Sequence, residues 1–417
     1  KIAKKCLFFA LKGESFDGHN FCKQSLAAGA LAVVVHKKID GSIPQIIVKD
    51  TTLFLGELAA YYKTKFNVTT IAVTGSCGKT TTKEILAAML KKKFRVHYNE
   101  KNLNNLIGVP SSILAITGEP DACILELGTN TPGEIKKLAV VTDPDISLIT
   151  NVNPSHLEGL ESLDGILEEK LDLFRYTRPH GKILVNIDDP GLAVRYRHTG
   201  HASITFAIEN DAYYHLRVIR DLGWEGYVIS IISPVGTIEA RTSLLGRHNL
   251  YNLLAAATIA SVMGVDHSSI ARAIDEFSSY DKRLQPIESS HGFIIIDDTY
   301  NANPSSMEWA IRTLSDLPSN GKKVVVLGGM KELGKDSTLY HREMGKFLKD
   351  LKDIGLIVLF GEETADTFSE LGNTRAVHFN DKGELIDYLR LHLNAGDTVL
   401  VKGSRAFKME EIVEALK

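Results

Sequence analysis

Short apolar runs alternate with longer stretches of mixed polarity along most of the chain. Runs such as "TIAVTG", "DACILELG" and "GKILVN" have the length of buried strands, and the stretches between them have the apolar spacing of helices. Strands that alternate with helices favour a mainly parallel sheet that is covered by helices. The pattern therefore predicts an α/β protein.

The alternation falls into three blocks, which predict three domains in the 417-residue chain. Residues 1–66 form a small α/β block, and residues 67–281 form a larger, mainly parallel block that begins with "TIAVTG". Within the second block, residues 213–242 alternate polar and apolar positions around "DLGWEG", which predicts an antiparallel insert. Residues 282–417 alternate most regularly and predict a Rossmann-like domain. No G-x-G-x-x-G follows the first strand of that block, so its fold alone does not imply a dinucleotide.

The composition narrows the class of protein without indicating a function. Apolar residues make up 44% of the chain and charged residues 24%, as in an ordinary globular protein. The net charge of −3 gives no general attraction to nucleic acid, and no run of about 18 apolar residues could span a membrane. Four cysteines without a C-x-x-C pair indicate reduced thiols, so we expect a cytoplasmic protein. We also expect the protein to act as a monomer. Because the chain opens at Lys1 without a methionine, we also expect residues to be missing before it.

A glycine-bounded turn, "IAVTGSCGKTTTKE", connects a strand-like run to a helix-like segment. The backbone N–H groups of such a turn and the positive end of the helix bind phosphate. Lys79 would neutralise the β- and γ-phosphates of a nucleotide, and the Thr80 hydroxyl would bind Mg²⁺. In the common loop, G-x-x-x-x-G-K-[ST], the first glycine lies five residues before the second. Here Gly75 lies only three residues before Gly78, so the loop is two residues shorter. The alternative is an ordinary strand-to-helix turn that happens to contain Gly-Lys-Thr.

The segment "VTGSCGKTTTKE" resembles the short G-x-x-G-K-[ST] loop of the Mur ligase superfamily, whose members are ATP-dependent amide-forming enzymes. The resemblance covers nearly the whole chain, through "LFFALKGESFDGHNF", "NLNNLIGVP", "HLEGLESLDGILEEK", "GRHNLYN", "DDTYNANPSSM", "VVVLGGMKELG" and "LVKGSRAFKME". The tract "DDTYNANPSS" followed by "VLGGMKELG" is similar to the members that add D-alanyl-D-alanine to UDP-N-acetylmuramoyl-tripeptide. It differs from the "DYAHTP"-like and "DNPR"-type sequences of the members that add lysine or diaminopimelate.

The resemblance implies a reaction of peptidoglycan precursor synthesis. ATP phosphorylates the terminal carboxylate of UDP-N-acetylmuramoyl-tripeptide, and the amine of D-Ala-D-Ala attacks the acyl phosphate. The nearest alternative is a related ligase with another amine, such as a diaminopimelate-adding enzyme or a folylpolyglutamate synthase. Two alternatives of other classes stay open, a nucleotide-regulated binding protein and a small-molecule kinase.

The resemblance also implies which residues bind ATP. Cys77 replaces the serine or asparagine that is usual in the loop, a change that leaves the backbone cradle intact. For Asn249 the alternative is helix capping, and for Arg283 it is a plain charge in the linker between two blocks. Asp298 follows a strand of the third block and would hold the ribose hydroxyls. The positions that match the nucleotide-binding motifs are Gly75, Ser76, Cys77, Gly78, Lys79, Thr80, Thr81, Asn249, Asn252, Arg283 and Asp298.

Two Mg²⁺ ions are implied, held by Thr80, Glu126, His156 and Lys170. Glu126 ends the strand run "DACILELG", at the edge of the sheet where ligands collect, although a strand-end glutamate can equally face water. Taken alone, His156 is a surface or hydrogen-bonded histidine, and Lys170 is a solvated helix lysine. The family has a carbamylated lysine at the position of Lys170, and the added carboxylate binds Mg²⁺. The residues expected to act in catalysis are Lys79, His156, Lys170 and Arg283.

Other residues match the substrate-binding regions of the family. The first block resembles a UDP-sugar-binding domain, and Asn104 and Asn105 of "NLNNLIGVP" are expected beside the UDP-linked peptide. Asn301 and Asn303 of "TYNANP" are expected at the site of the amine substrate, although turn formation also explains asparagine there. The end of the last strand-like run suits the carboxylate of D-Ala-D-Ala, through Lys402, Ser404 and Arg405.

Overall fold

The first sheet is small and lies at the start of the chain. A computed structural model describes residues 4–13, 16–372 and 375–417, so that Glu14 and Ser15 of the "ALKGESFDGHNF" motif lie outside the described residues. The elements of this domain are β1 (Leu7–Phe9), α1 (Cys22–Ala27), β2 (Ala32–Val35), β3 (Gln45–Ile47) and α2 (Thr51–Lys63). The strands pair in parallel, with β2 between β1 and β3.

Helix α2 connects the first domain to the second. At its start the Asp50 carboxylate accepts two backbone N–H groups of the first turn. At its other end the buried Lys63 ammonium donates to the backbone carbonyls of Thr142 and Asp143, where a helix of the second domain ends. Lys63 also donates to Thr70 Oγ1 at 3.1 Å. The junction is therefore held by hydrogen bonds of a buried side chain.

A nine-stranded sheet forms the core of the second domain. Its strands are β4 (Thr69–Thr74), β5 (Val96–Tyr98), β6 (Ala122–Glu126), β7 (Ile146–Ile149), β8 (Lys182–Asn186), β9 (Ala202–Ala207), β10 (Tyr214–Asp221), β11 (Tyr227–Ser233) and β12 (Gly236–Thr242). They lie in the order β12-β11-β10-β9-β8-β7-β4-β6-β5. The strands pair in parallel except for β11, which runs antiparallel to β10 and β12. The predicted antiparallel insert is confirmed, and it continues the parallel sheet.

Helices cover both faces of this sheet. They are α3 (Lys79–Leu90), α4 (Gly108–Leu114), α5 (Glu134–Thr142), α6 (Leu157–Leu160), α7 (Leu163–Arg175), α8 (Pro190–Arg195), α9 (Arg247–Val262) and α10 (His267–Glu276). Successive residues of β4 point to opposite faces: Ile71 and Val73 pack with α3 and α9, and Ala72 packs with α4 and α5. No helix in the described part of the chain is long and apolar enough to cross a membrane.

The third domain contains a six-stranded sheet. Its elements are β13 (Gln285–Glu288), β14 (Ile294–Asp298), α11 (Pro304–Asp316), β15 (Lys323–Gly328), α12 (Ser337–Asp350), β16 (Ile354–Phe360), α13 (Ala365–Leu371), β17 (Ala376–Phe379), α14 (Lys382–His392), β18 (Thr398–Lys402) and α15 (Glu410–Leu416). The strand order is β13-β14-β18-β15-β16-β17, parallel except for the edge strand β13. Apolar clusters lie on both faces, which confirms the predicted Rossmann-like layout.

The third domain is docked on the second through a shared apolar core. Leu157 and Leu160 of α6 belong to the same buried cluster as Leu333, in the loop that follows β15. At a second contact, Trp224 Nε1 of the antiparallel insert donates to the Pro318 carbonyl of the third domain at 2.8 Å. These contacts close the two domains around a common cavity.

Leu333→Ala should weaken this docking. The Leu333 side chain is 2% exposed, so its truncation leaves a cavity and should lower the free energy of unfolding by about 2–5 kcal/mol. Urea-induced unfolding, followed by circular dichroism, measures the loss. Leu339→Ala is the control, because the Leu339 side chain is 52% exposed and its removal should change stability by about 0.5 kcal/mol or less. An unchanged transition for Leu333→Ala would contradict docking through this core.

Candidate active site between the second and third domains

The phosphate loop joins β4, an inner strand of the large sheet that lies third from one edge, to helix α3. Strand β4 ends at Thr74, and α3 begins at Lys79 after Gly78, whose φ is +81°. A Cβ on Gly75, whose φ is +148°, would lie 1.8 Å from Thr150 Oγ1. Only glycine fits so close to the neighbouring strand. The first N–H groups of a helix have no intrahelical partner, so α3 offers donors for an anion at this loop.

Side chains of the segment after β7 fix the conformation of the loop. Ser76 Oγ donates to the Asn153 carbonyl at 2.8 Å, and the Cys77 N–H donates to Asn151 Oδ1 at 2.9 Å. Thr150 Oγ1 in turn donates to the Cys77 carbonyl at 2.6 Å. Burial raises the pKa of the Cys77 thiol, which therefore stays protonated. The loop is thus held by hydrogen bonds from the protein itself, which favours binding of a ligand without rearrangement.

Two cationic side chains lie at the loop. Lys79 Nζ donates to the Gly75 carbonyl at 2.7 Å, and burial lowers the pKa of Lys79. Arg283 Nη2 donates to Thr80 Oγ1 at 3.1 Å, and the guanidinium carbon lies 4.2 Å from the ring centroid of Tyr300. Arg283 Nε is buried and has no hydrogen-bond partner among the described residues. The alternative of a plain linker charge is therefore wrong, because Arg283 reaches the phosphate loop.

Glu126 is held rigidly at the end of β6. Its backbone N–H donates to Asn99 Oδ1 at 2.8 Å, and Asn99 Nδ2 donates to its carbonyl at 2.9 Å. In the side chain, Oε1 accepts from Asn104 Nδ2 at 2.9 Å, while the Lys83 ammonium lies 3.9 Å from Oε2. Glu126 is 2% exposed, and its Oε2 has no hydrogen-bond partner in the described ranges. The alternative in which Glu126 faces water is wrong, and the buried carboxylate oxygen fits a cation.

The donor set around Glu126 is sparse. Residues 4–13, 16–372 and 375–417 contain no group of three or more His, Cys, Asp or Glu side chains placed to hold a metal. A divalent cation beside Glu126 would therefore also need hydroxyl, phosphate or water oxygens. Thr80 lines the same cavity, and Mg²⁺ commonly combines one or two carboxylates with such oxygens. The residues present fit Mg²⁺ better than a metal that needs several histidine or cysteine ligands.

Lys170 is buried within α7, with 1% of its surface exposed. The alternative of a solvated helix lysine is wrong. Burial, followed by the nearby positive charge of Lys79, lowers the pKa of Lys170 to about 7. A large fraction of its amine is therefore neutral at neutral pH. His156 lies at the start of α6 and lines the cavity, with its Nδ1 2.5 Å from Oε2 of Glu332 in the third domain.

Helix α9 provides the predicted asparagine pair. Asn252 Nδ2 donates to Asn249 Oδ1 at 3.0 Å, and Asn249 Nδ2 donates to the Leu245 carbonyl at 2.9 Å. The helix begins after Gly246 without a side-chain cap, so the alternative in which Asn249 caps it is wrong. A Cβ on Gly78 would lie 2.1 Å from Asn252 Oδ1. The pair therefore packs directly against the phosphate loop.

The third domain faces the loop with the end of β14 and the start of α11. Asp298 Oδ2 accepts from the Lys402 ammonium at 2.6 Å, and Lys402 also donates to the Asn301 carbonyl at 2.9 Å. Asn303 caps α11 in a reciprocal arrangement with the Ser306 side chain. The turn-forming role considered for Asn303 is therefore present. Its Nδ2 also donates to Cys77 Sγ at 3.1 Å, which brings it against the phosphate loop.

Two of the predicted substrate residues lie outside the cavity. Ser404 Oγ accepts from the Lys331 N–H at 2.9 Å and is buried, and Arg405 is exposed and pairs with Glu410 at 3.0 Å. Asn105 lines the cavity, but its side chain also accepts two backbone N–H groups at the start of α4.

One cavity of about 380 Å³ collects most of the predicted residues. Those that line it are Ser76, Cys77, Gly78, Lys79, Thr80, Thr81, Asn104, Asn105, Glu126, His156, Asn249, Asn252, Arg283, Asp298, Asn301, Asn303 and Lys402.

Sequence reasoning missed the ring of His248, which also lines the cavity and stacks on Trp309 with centroids 5.5 Å apart. Burial lowers the pKa of His248 to about 3, so the ring is neutral. It missed Lys83 and Asn99 as well, although a lysine four residues after Lys79 on a helix shares its face.

A phosphate loop at the end of a parallel sheet, closed by a second α/β domain that adds polar residues to the same cavity, defines a multidomain nucleotide-dependent enzyme. The chain belongs to the Mur ligase family. Residues 73–260 match the Mur ligase middle domain, and residues 282–405 match the Mur ligase, glutamate ligase domain. Residues 1–63 match the Mur ligase family, catalytic domain.

Similar proteins cover the whole chain. It is 36% identical to the UDP-N-acetylmuramoyl-tripeptide–D-alanyl-D-alanine ligase of Haemophilus influenzae, over 100% of this chain and 92% of the relative. The ligase of the same name from Escherichia coli gives the same identity and coverage. Among solved structures, MurF from Acinetobacter baumannii matches with a TM-score of 0.92 and 32% identity, over 99% of this chain and 91% of that chain. MurF from Thermotoga maritima in complex with ADP matches with a TM-score of 0.90 and 28% identity, over 100% and 95%.

Gly75→Ala should abolish nucleotide binding while the protein stays folded. The new Cβ would clash with Thr150 and push the phosphate loop away from β7. Isothermal titration with ADP and thermal unfolding separate the two effects. Gly118→Ala is the control, because Gly118 has a φ of +71° but no atom within 4 Å of the added Cβ. Gly118→Ala should bind ADP like the parent, and normal ADP binding by Gly75→Ala would contradict the role of this close approach.

Proposed function

We propose that the protein is an ATP-dependent amide ligase that adds D-Ala-D-Ala to UDP-N-acetylmuramoyl-tripeptide in peptidoglycan precursor synthesis. The observation that carries this proposal is the convergence of Lys79, Glu126 and Arg283 on one cavity between two domains. Full-length similarity to the ligases of that name from H. influenzae and E. coli supports the choice of substrates. We further propose that the enzyme works in the cytoplasm as a monomer.

The proposed reaction activates a carboxylate, which is otherwise a poor acyl donor because its leaving group would be oxide. An oxygen of the tripeptide carboxylate attacks the γ-phosphorus of ATP, the bond from that phosphorus to ADP breaks, and an acyl phosphate forms. The amine nitrogen of D-Ala-D-Ala then attacks the acyl carbon. The C–N bond forms, phosphate leaves, and the amine proton passes to solvent. Each amide bond thus consumes one ATP and releases ADP and phosphate.

Residues of the loop and of α9 have the chemistry to bind the nucleotide. The backbone of residues 75–81 and the Lys79 ammonium would hold the β- and γ-phosphates. Arg283 would neutralise charge on the transferring phosphoryl group, because its guanidinium is already directed at Thr80. Asn249 and Asn252 would contact the nucleotide from the other side of the loop. Asp298 would hold the ribose hydroxyls from the third domain.

Two Mg²⁺ ions would offset the negative charge that gathers during phosphoryl transfer. Thr80 and Glu126 would hold one of them, a role supported by the buried Glu126 oxygen that has no hydrogen-bond partner among the described residues. His156 and a carbamylated Lys170 would hold the other. Carbon dioxide adds only to a neutral amine, and the lowered pKa of Lys170, about 7, supplies that form. An unmodified Lys170 ammonium would repel the metal.

The remaining predicted residues would bind the two substrates. The first domain would bind the UDP-sugar, with Asn104 and Asn105 beside the peptide. Asn301, Asn303 and Lys402 would line the amine site, although the Lys402 ammonium already has Asp298 and Asn301 as partners. Ser404 and Arg405 stay proposed contacts for the D-Ala-D-Ala carboxylate. Arg405 can turn towards it, since an exposed ion pair such as that with Glu410 stabilises a side chain by only about 0–1 kcal/mol.

Phosphate release should require ATP, UDP-N-acetylmuramoyl-tripeptide and D-Ala-D-Ala together. A coupled phosphate assay, with mass spectrometry of the amide product, tests both lysine- and diaminopimelate-containing tripeptides. Lys79→Ala should remove most of the activity, because it deletes the cation at the transferring phosphate. Activity within a few-fold of the parent would mean that this loop is not the phosphate site.

The other outcomes of the same assay decide between the alternatives. Turnover with free lysine or diaminopimelate and none with D-Ala-D-Ala would identify a ligase with another amine. A stable phosphorylated product would indicate a small-molecule kinase. Binding of ATP without turnover under every substrate combination would indicate a nucleotide-regulated binding protein.

Lys170→Ala should lower turnover by orders of magnitude and leave ADP binding nearly unchanged. The parent, incubated with ¹³C-bicarbonate, should show a carbamate signal in its ¹³C NMR spectrum that the variant lacks. Because the neutral amine appears as pH rises through about 7, this signal should grow between about pH 6 and pH 8 at constant dissolved carbon dioxide.

Lys137→Ala is the matched control, because Lys137 is an exposed lysine on α5. It should keep both the carbamate signal and the activity. Added acetate should restore part of the activity of Lys170→Ala by supplying a carboxylate in the vacated space. A fully active Lys170→Ala variant would refute the role of the carbamate.

A further inference from the structure

Glu332 of the third domain contacts His156 of the second domain at the edge of the cavity. Glu332 Oε2 lies 2.5 Å from His156 Nδ1, at the distance of an ion pair. A carboxylate oxygen can only accept, so its closeness favours a proton on Nδ1. The other ring nitrogen, Nε2, is then left as an acceptor on a side chain that lines the cavity.

The backbone around this pair is held in conformations that are unfavourable by themselves. The φ angles of His156 and Glu332 are +53° and +64°, in the left-handed region that side chains other than glycine rarely adopt. The Glu158 N–H donates to the Glu332 carbonyl at 3.1 Å, and Gly334 packs so closely that a Cβ there would lie 3.1 Å from the Glu158 Cα. Strained residues of this kind persist only where their surroundings fix them.

The apolar core between the domains lies directly beside the pair. Leu157 follows His156 and Leu333 follows Glu332, and both leucines belong to one buried cluster. Docking of the third domain therefore brings the carboxylate and the imidazole together at a defined position. The ammonium of Lys331, the residue before Glu332, pairs with Glu363 inside the third domain.

We propose that Glu332 is a positioning residue that completes the phosphoryl-transfer site when the third domain docks, by orienting the His156 ring so that Nε2 faces the cavity. The arrangement has the form of a metal-binding histidine whose other ring nitrogen is held by a carboxylate. An enzyme with the third domain away from the second would lack this orientation, so phosphoryl transfer would be confined to the docked state. The inference rests on the proposed ligase function for its activity measurement, whereas the orientation of the ring does not depend on that function.

The first test compares turnover in variants of Glu332. Glu332→Ala should lower kcat by about 10- to 100-fold and leave the KM for ATP nearly unchanged, because the residue acts through His156. Glu332→Asp, which keeps the carboxylate, should recover part of the loss. Glu363→Ala is the control, since Glu363 is a carboxylate of the same domain whose ion-pair partner is Lys331, and it should behave like the parent. In a His156→Ala background, Glu332→Ala should cause no further loss.

The second test measures which ring nitrogen of His156 carries the proton. ¹⁵N NMR of histidine-labelled protein, with ADP and Mg²⁺ bound, should show His156 with its proton on Nδ1 in the parent and in Glu363→Ala. Glu332→Ala should give a mixture of tautomers, while small-angle scattering shows an unchanged radius of gyration. If Glu332→Ala fails to fold, Glu332→Gln and Glu332→Asp provide the same comparison.

Three results would overturn the inference: parent-like kcat in Glu332→Ala, additive losses in the double variant, or a loss of activity with an unchanged ring signature. The last would make Glu332 a docking contact only. A different outcome is a parent protein that does not use D-Ala-D-Ala while the NMR signature of the His156 ring still changes in Glu332→Ala. That result would overturn the proposed ligase function, but the orientation of His156 by Glu332 would stand.

Discussion

The docking of the third domain on the second is the interaction on which the rest of the site depends. The buried apolar cluster that includes Leu157 and Leu333 fixes the relative position of the two sheets. Once that position is set, Arg283 of the third domain reaches Thr80, and Asn303 reaches Cys77 in the phosphate loop. Polar contacts of this kind contribute little net stability by themselves, so the apolar contact supplies the driving force and the polar contacts supply the geometry.

The sequence predicts the layers and the phosphate loop well, because both depend on local signals. Buried strands produce apolar runs, and the close approach at Gly75 excludes every residue with a side chain. The burial of Lys170 could not be predicted in the same way, since a lysine on a helix is usually solvated and only the packed second domain removes it from water. The contact between His156 and Glu332 joins residues far apart in the chain, and no local pattern reports such a pair. Its positive charge and its place after the last strand suggested Arg405 as a substrate contact, but Arg405 lies outside the cavity.

Buried lysines give the site an unusual electrostatic character. Lys83 and Lys170 are buried and Lys79 is half-buried, and burial lowers the pKa of Lys79 and Lys170. Removing several amines of like charge from water is unfavourable unless an anion compensates them. A polyphosphate supplies this compensation, so the protein gives up stability without ligand in return for a site that is organised before binding.

The buried Lys63 at the end of α2 has a consequence for the size of the substrate. Its hydrogen bonds to the carbonyls that end α5 hold α2 in a fixed position between the first domain and the large sheet. If the first domain binds the UDP-sugar, α2 fixes the distance from the sugar-binding site to the phosphate loop. The peptide between the sugar and the reacting carboxylate must match this distance. Substrate length would then be measured as a span between two fixed points, with no need for a specific contact to each amino acid along the way.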